Sequence, residues 1–101
     1  MGNFVKAASV SDIKSESGVA VDIQGKAIAI FNSGGKFYAT DNTCKHRGGP
    51  LGEGSLDSNV VTCPWHGWQF DVTNGNCVTN PATKISCFPT KIEGNDILVE
   101  I

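Results

Sequence analysis

The sequence lacks the features that several large classes of protein require. Its eight basic and ten acidic residues are spread along 101 positions without a basic block, so nucleic acid is not expected as a partner. The longest apolar runs, such as residues 27–31, have the length of a strand and are too short to span a bilayer. The start shows no charged region followed by an apolar one, so no secretory signal is expected. These absences favour a soluble, cytoplasmic protein with no membrane partner.

Histidine is scarce: the chain has two, His46 and His66. Each follows a cysteine closely, in the segments C-K-H from Cys44 and C-P-W-H from Cys63. With both imidazoles on a metal, neither a Ser/His/Asp set nor an iron site of two histidines and a carboxylate can be built from the remaining residues. The chain is therefore expected not to be an enzyme.

Each of these two segments mixes one cysteine with one histidine. Structural zinc sites usually combine cysteine pairs with histidine pairs. A two-iron cluster with two thiolates on one iron and two imidazoles on the other can take one residue of each kind from each segment. The pattern therefore favours a [2Fe–2S] cluster bound by Cys44, His46, Cys63 and His66. A zinc ion held by the same four residues remains the alternative.

Outside these segments the sequence pattern is β. Strand-length runs are predicted at residues 19–23, 26–31, 36–40, 60–62, 68–72, 90–93 and 96–101. Turns are predicted at Gln24-Gly25, 33–35 and 94–95, and Asn74-Gly75 is the strongest two-residue hairpin signal. A helical turn is expected only within residues 9–16, where Ser11 is a candidate cap.

The chain is expected to be one domain, residues 1–101, large enough for a small core. The regular pattern stops between Asp41 and Val60, and the dense glycine and proline of residues 48–55 predict a fixed, irregular backbone there rather than a strand. We expect residues 1–40 and 86–101 to form a β base. Residues of about 41–85 are expected to form a cluster-binding subdomain inserted into that base.

The longer segments CKHRGGPL, from Cys44, and CPWHGWQF, from Cys63, resemble the two loops of Rieske-type ferredoxins of multicomponent, ring-hydroxylating oxygenase systems. The resemblance covers nearly the whole chain and implies an all-β Rieske fold of three antiparallel sheets. It implies one [2Fe–2S] cluster, with Cys44 and Cys63 on the buried iron and His46 and His66 on the outer iron. It also implies an electron carrier between a flavin-dependent ferredoxin reductase and a terminal non-haem-iron oxygenase. Nothing in the sequence requires more than a monomer.

The residues around the ligands predict a low reduction potential. Replacing two thiolates of an all-cysteine cluster by neutral imidazoles removes negative charge and raises the potential into a range of roughly −150 to +300 mV. The high-potential respiratory branch of the family has a disulfide between its loops and Ser and Tyr hydroxyls near the cluster. Gly49, Trp65, Trp68 and Phe70 stand at the matching positions here. Without those groups the added electron is less stabilised, so we expect a potential near the low end.

The resemblance also suggests roles for residues close to the ligands. Pro81 is expected to cover one side of the cluster, with an ordinary turn proline as the alternative. Arg47 and Trp65 are candidates for a docking rim. The alternatives are a surface ion pair for Arg47 and packing between the loops for Trp65. Three glycines are expected to let backbone amides approach the sulfides: Gly48, Gly49 and Gly67.

Cys77 and Cys87 have no histidine nearby and are expected to be small, buried apolar residues rather than a disulfide. Two alternatives to an oxygenase ferredoxin remain open. One keeps the cluster in a small subunit of a nitrite reductase or in a redox sensor, although such nitrite reductase subunits often lack the ligands that are intact here. The other is a zinc-stabilised interaction module.

Overall fold

The computed structural model describes residues 3–42, 50–64, 67–80 and 82–100. In this part of the chain ten β-strands form three antiparallel sheets, which confirms the predicted fold class. The strands are β1 Phe4–Ser9, β2 Ser17–Ile23, β3 Lys26–Ser33, β4 Lys36–Asp41, β5 Ser55–Asp57, β6 Val60–Thr62, β7 Gln69–Asp71, β8 Cys87–Phe88, β9 Thr90–Glu93 and β10 Asp96–Glu100. The sheets have the strand orders β1-β10-β9, β2-β3-β4-β8 and β5-β6-β7.

Helical structure in these ranges consists of two single-turn 3-10 helices, Val10–Asp12 and Leu51–Glu53. No helix among the described residues is long and apolar enough to cross a membrane.

Three of the predicted turns are confirmed as tight hairpins. Gln24 and Gly25 have positive φ angles of 51° and 83° and join β2 to β3. Gly34 and Gly35, with φ of 61° and 94°, join β3 to β4 in the same way. The turn at 94–95 joins β9 to β10. Turns with positive φ follow the right-handed twist of the flanking strands, which is why these short signals were sufficient.

The turn predicted at Asn74-Gly75 is longer than a two-residue hairpin. The Asp71 N–H donates to the Asn76 carbonyl at 2.9 Å, so residues 72–75 form the loop. The Asn74 Oδ1 accepts a hydrogen bond from the Asn76 N–H at 2.8 Å. This local side-chain acceptor competes with the two-residue turn and explains the difference.

Three strands were not predicted from the sequence: β1, β5 and β8. β1 has a register shift between Lys6 and Ala8, which interrupts its alternation. β5 and β8 are too short to show a period, and β5 contradicts the irregular backbone expected in its region. The helical turn lies where it was expected, but its N-cap is Ser9 rather than Ser11.

Strand β3 is buried on both faces and divides the interior into two cores. Alternate residues of its apolar run enter different cores, which explains why the run has no polar alternation. The base core consists of Ile13, Ile23, Ile28, Ile30, Ala39, Ile97 and Val99. The site core consists of Ala29, Phe31, Leu51, Leu56, Val61, Cys63, Phe70, Val72, Cys77 and Ile85.

Candidate metal centre

The second ligand segment begins at Cys63, directly after β6. The residue is 2% exposed and belongs to the site core. Its N–H donates to the Trp68 carbonyl at 2.7 Å, and the Gly67 N–H donates to the Cys63 carbonyl at 3.1 Å. These bonds extend the pairing of β6 with β7 by one residue and close a short loop over residues 64–67. The predicted thiolate ligand is therefore fixed at the buried end of a hairpin.

Gly67 closes this loop with a φ of 77°. An L side chain rarely adopts that backbone conformation, so the turn itself favours glycine. A Cβ at Gly67 would meet no described atom within 4 Å. The expected approach of its amide to a sulfide therefore remains a prediction.

Two other glycines make close backbone approaches near the ligand segments. A Cβ on Gly52 would lie 2.8 Å from the main-chain carbon and oxygen of Val19 in β2. A Cβ on Gly54 would overlap the carbonyl of Thr62 in β6. The sequence offered no way to separate these two glycines from the turn glycines around them, because the contacts come from distant strands.

The residues that flank the first ligand segment, Asn42 on one side and Leu51 and Gly52 on the other, are hydrogen-bonded to each other. The Asn42 carbonyl accepts a hydrogen bond from the Leu51 N–H at 2.7 Å. The Asn42 Oδ1 accepts a second one from the Gly52 N–H, also at 2.7 Å. The Asn42 N–H donates to the Ala27 carbonyl at 3.1 Å. Asn42 thus connects both ends of residues 43–50 to the start of β3, a role that the sequence did not reveal.

A second pair of hydrogen bonds joins Asp41 and Ser86, at the two ends of the expected cluster-binding subdomain. The Asp41 N–H donates to the Ser86 carbonyl at 3.0 Å. The Ser86 N–H donates to the Asp41 Oδ2, also at 3.0 Å. This reciprocal pair of bonds joins the end of β4 to the residue before β8, at the edge of the four-stranded sheet.

The segment after β7 packs along the second ligand loop. The Gln69 N–H donates to the Thr79 Oγ1 at 2.9 Å. The Asn80 N–H donates to the buried Cys77 Sγ at 3.3 Å, and the Asn80 Oδ1 accepts a hydrogen bond from the Ala82 N–H at 3.1 Å. These bonds order a turn beside the loop that starts at Cys63.

Cys77 and Cys87 are both free thiols, so no disulfide joins them. Cys77 is buried as expected, but Cys87 is exposed, and the prediction of burial is wrong for it. Cys87 starts the short edge strand β8, which leaves the residue accessible. Partial burial of its sulfur raises the pKa of the Cys87 thiol; Lys84 opposes this shift, and Asp71 and Asp41 add to it.

Of the four predicted ligands, Cys63 lies in the described part of the chain. Cys44, His46 and His66 lie outside the described residues. The same is true of five other residues with predicted roles: Arg47, Gly48, Gly49, Trp65 and Pro81.

Trp68 and Phe70, which stand where the high-potential branch has Ser and Tyr hydroxyls, are both among the described residues. Phe70 is fully buried in the site core, and Trp68 is half-buried and packs against that core.

The chemistry of the described donor fits an iron–sulfur cluster. Thiolates are the usual ligands of such clusters, and Cys63 supplies a buried thiol on a hydrogen-bonded hairpin. Residues 3–89 match the family model of the Rieske [2Fe-2S] domain. The chain belongs to this family. A Rieske domain of this kind holds one [2Fe–2S] cluster, which is therefore the cofactor of this protein.

Similar ferredoxins cover nearly the whole length of the chain. It is 36% identical over 100 residues to the ferredoxin component of the naphthalene 1,2-dioxygenase/salicylate 5-hydroxylase systems of Ralstonia sp, covering 98% of this chain and 96% of that protein. The solved structure of the Sphingomonas yanoikuyae B1 ferredoxin superposes with a TM-score of 0.89 at 30% identity, covering 98% and 99% of the two chains. A chain in a complex of reduced oxygenase and oxidized ferredoxin in carbazole 1,9a-dioxygenase superposes with a TM-score of 0.88 at 30% identity. The match covers 96% of this chain and 92% of that chain.

These similarities make the Rieske protein an electron-transfer component rather than an enzyme in its own right. They agree with the role that the two Cys/His segments predicted.

Proposed function

We propose that this Rieske ferredoxin accepts one electron at a time from a flavin-dependent ferredoxin reductase and delivers it to a terminal non-haem-iron oxygenase. The observation that carries the proposal is the intact pair of Cys/His segments on a chain that spans 96% of a dioxygenase ferredoxin component. The solved complex of reduced oxygenase and oxidized ferredoxin in carbazole 1,9a-dioxygenase supports the same direction of transfer. The chain would dock briefly, through an interface of under roughly 1,200 Å2.

We also propose the ligand set Cys44, His46, Cys63 and His66. The two cysteines would bind one iron and the two histidines the other, so that one iron lies nearer the protein interior. The buried position of Cys63 supports the inner assignment for the thiolates. When bound, the cluster supplies a one-electron redox couple, and the protein sets its potential through ligands and hydrogen bonds.

A low reduction potential is part of the proposal. Phe70 is an apolar member of the site core, and neither it nor Trp68 can offer a hydroxyl donor to the cluster. A redox titration should give a value in the lower part of the range of roughly −150 to +300 mV, and a value well above zero would contradict this. His66→Cys should keep a cluster and lower the potential further, because a thiolate adds negative charge.

We further propose that residues 41–85 act as the cluster-binding subdomain. The reciprocal bonds between Asp41 and Ser86 support these bounds, as does the location of β5, β6 and β7 inside them. We propose a soluble, monomeric protein of the cytoplasm. The free thiols of Cys77 and Cys87 support a reducing compartment.

The test of function is direct electron delivery. The ferredoxin is reduced with dithionite, freed of excess reductant and mixed with an oxidised ring-hydroxylating oxygenase while the visible absorption of the cluster is followed. Rapid reoxidation of the ferredoxin and reduction of the oxygenase are expected. Transfer to a sirohaem nitrite reductase in its place would support the alternative. A colourless, zinc-loaded protein from anaerobic expression would overturn both.

A further inference from the structure

The two ligand-bearing loops are closed by different means. The loop over residues 64–67 is closed by main-chain hydrogen bonds that continue the β6–β7 ladder. At the described ends of the stretch 43–50, a side chain also takes part. Its ends meet through Asn42, which uses one main-chain and one side-chain oxygen to accept from Leu51 and Gly52.

The residues that Asn42 binds are themselves fixed to the body of the protein. Leu51 is fully buried in the site core. Gly52 lies so close to Val19 in β2 that a Cβ would need the strand to shift. The Asn42 N–H donates to the carbonyl of Ala27, within β3. The side-chain bond from Asn42 therefore connects two segments that are packed against the body of the protein, and its length of 2.7 Å lies within the range of N–H···O hydrogen bonds.

We propose that Asn42 is a positioning residue for the cluster, because its carboxamide fixes the point at which the loop carrying Cys44 and His46 returns to the protein. This rests on the ligand set proposed above. Without the carboxamide oxygen, the part-buried Gly52 N–H would lose its acceptor, and the contact between Asn42 and residues 50–52 would open more often. The expected consequence is faster loss of the cluster from otherwise folded protein.

The experiment uses the cluster-loaded, full-length protein. Asn42→Leu removes the acceptor at similar volume, whereas Asn42→Asp keeps an oxygen in its place. Asn32→Leu is the matched control: Asn32 is buried, its Nδ2 donates to the Ile13 carbonyl at 2.9 Å and its Oδ1 accepts from the Gly35 N–H at 2.9 Å. It is thus an asparagine with a similar bonding role at the end of β3, away from the ligand loops.

Three quantities are measured for each variant: the rate at which the cluster is released to an iron chelator, the reduction potential, and hydrogen exchange in peptides covering residues 50–54. Asn42→Leu should release its cluster about tenfold faster, with faster exchange at residues 50–54 and a shifted potential. Asn42→Asp should release it at close to the wild-type rate. Asn32→Leu should lower the urea midpoint but leave release, potential and exchange at residues 50–54 unchanged.

The proposal is overturned if Asn42→Leu matches the wild type in release and exchange, or if Asn32→Leu accelerates release equally. Should Asn42→Leu fail to fold, Asn42→Ser replaces it, because the shorter side chain cannot reach Gly52. Should Asn32→Leu fail, Thr90→Val removes the bond from the Thr90 Oγ1 to the Phe37 carbonyl as a milder control. A wild type that keeps its cluster but does not reduce an oxygenase would refute electron delivery only, since none of these measurements uses a partner.

Discussion

The base core and the site core lie on opposite faces of β3 and are built differently. The buried residues of the base core are all aliphatic, and most of the strands that supply or flank them have five to eight residues. The site core contains two cysteines and two phenylalanines, and its sheet has strands of three residues. Side chains such as Asn42, Thr79 and Asn80 supply the hydrogen bonds that longer strands would provide.

This difference suggests that the two cores depend on the cluster to different degrees. Long paired strands with an aliphatic interior can form a stable base without help. A sheet of three short strands is marginal on its own and needs tertiary support. In a protein of this size a metal centre is a natural source of that support. The following predictions test whether the cluster stabilises one core more than the other.

Removal of the iron should have the largest effect and should be confined to one side of β3. Reductive extraction with a chelator is expected to raise hydrogen exchange in β6 and β7 by about tenfold or more, because in the proposed ligand set the cluster would be bound by Cys63, directly after β6. Exchange in β2 and β10 should change little. Hydrogen exchange measured by mass spectrometry before and after extraction checks this, and equal loss of protection in all strands would contradict it.

Two adjacent residues of β3 allow the cores to be weakened separately. Ile30 and Phe31 are both fully buried, but Ile30 belongs to the base core and Phe31 to the site core. Ile30→Ala should lower the free energy of unfolding by about 2–5 kcal/mol and Phe31→Ala by about 3–5 kcal/mol. Only Phe31→Ala should also speed release of the cluster under native conditions.

Urea unfolding and chelator-dependent bleaching measure these two effects in the same samples. Ile30→Val and Phe31→Leu serve as milder controls and should show the same contrast at smaller size. If both alanine variants accelerate bleaching equally, the two cores behave as one cooperative unit.

The smallest expected effect concerns Cys87, the exposed thiol between the two regions. Burial raises the pKa of this thiol, so it should react with iodoacetamide at pH 8.5 more slowly than an unstructured cysteine, by about twofold or more. Lys84→Gln removes the opposing positive charge and should slow the reaction further. Because the pKa of the Cys87 thiol is raised in the folded state, the protonated thiol adds to the free energy of unfolding. This contribution is complete below about pH 8.5, the usual cysteine pKa, and is lost as the pH rises through the pKa of the folded state.

Cys87→Ser should therefore reduce the fall in stability on the alkaline side and leave stability near pH 7 unchanged. Cys77, buried in the site core, should stay unmodified in the native protein, which peptide mapping will show. Equal labelling of both cysteines would mean that the site core opens readily.

The parts of the fold that could be predicted are those with local causes. The turn at Gln24-Gly25 was predicted because its residues accept positive φ, and β3 because five consecutive apolar residues need burial. Strand β5 and the close approach of Gly52 to Val19 could not be predicted, because both depend on strands far away in sequence. The longer turn after β7 contains side-chain bonds to Asp71 and Asn74, which the hairpin signal alone does not include.

For the candidate metal centre, the sequence by itself predicted the ligand types and their spacing, and it indicated the family that the comparisons then showed. Those properties are carried by residue identity along the chain, since a Rieske cluster needs one cysteine and one histidine in each segment. Only the tertiary structure showed that Cys63 is buried at a hairpin end and that Asn42 is hydrogen-bonded to Leu51 and Gly52. Burial and loop closure arise from contacts between residues distant in sequence, and such contacts exist only once the chain has folded.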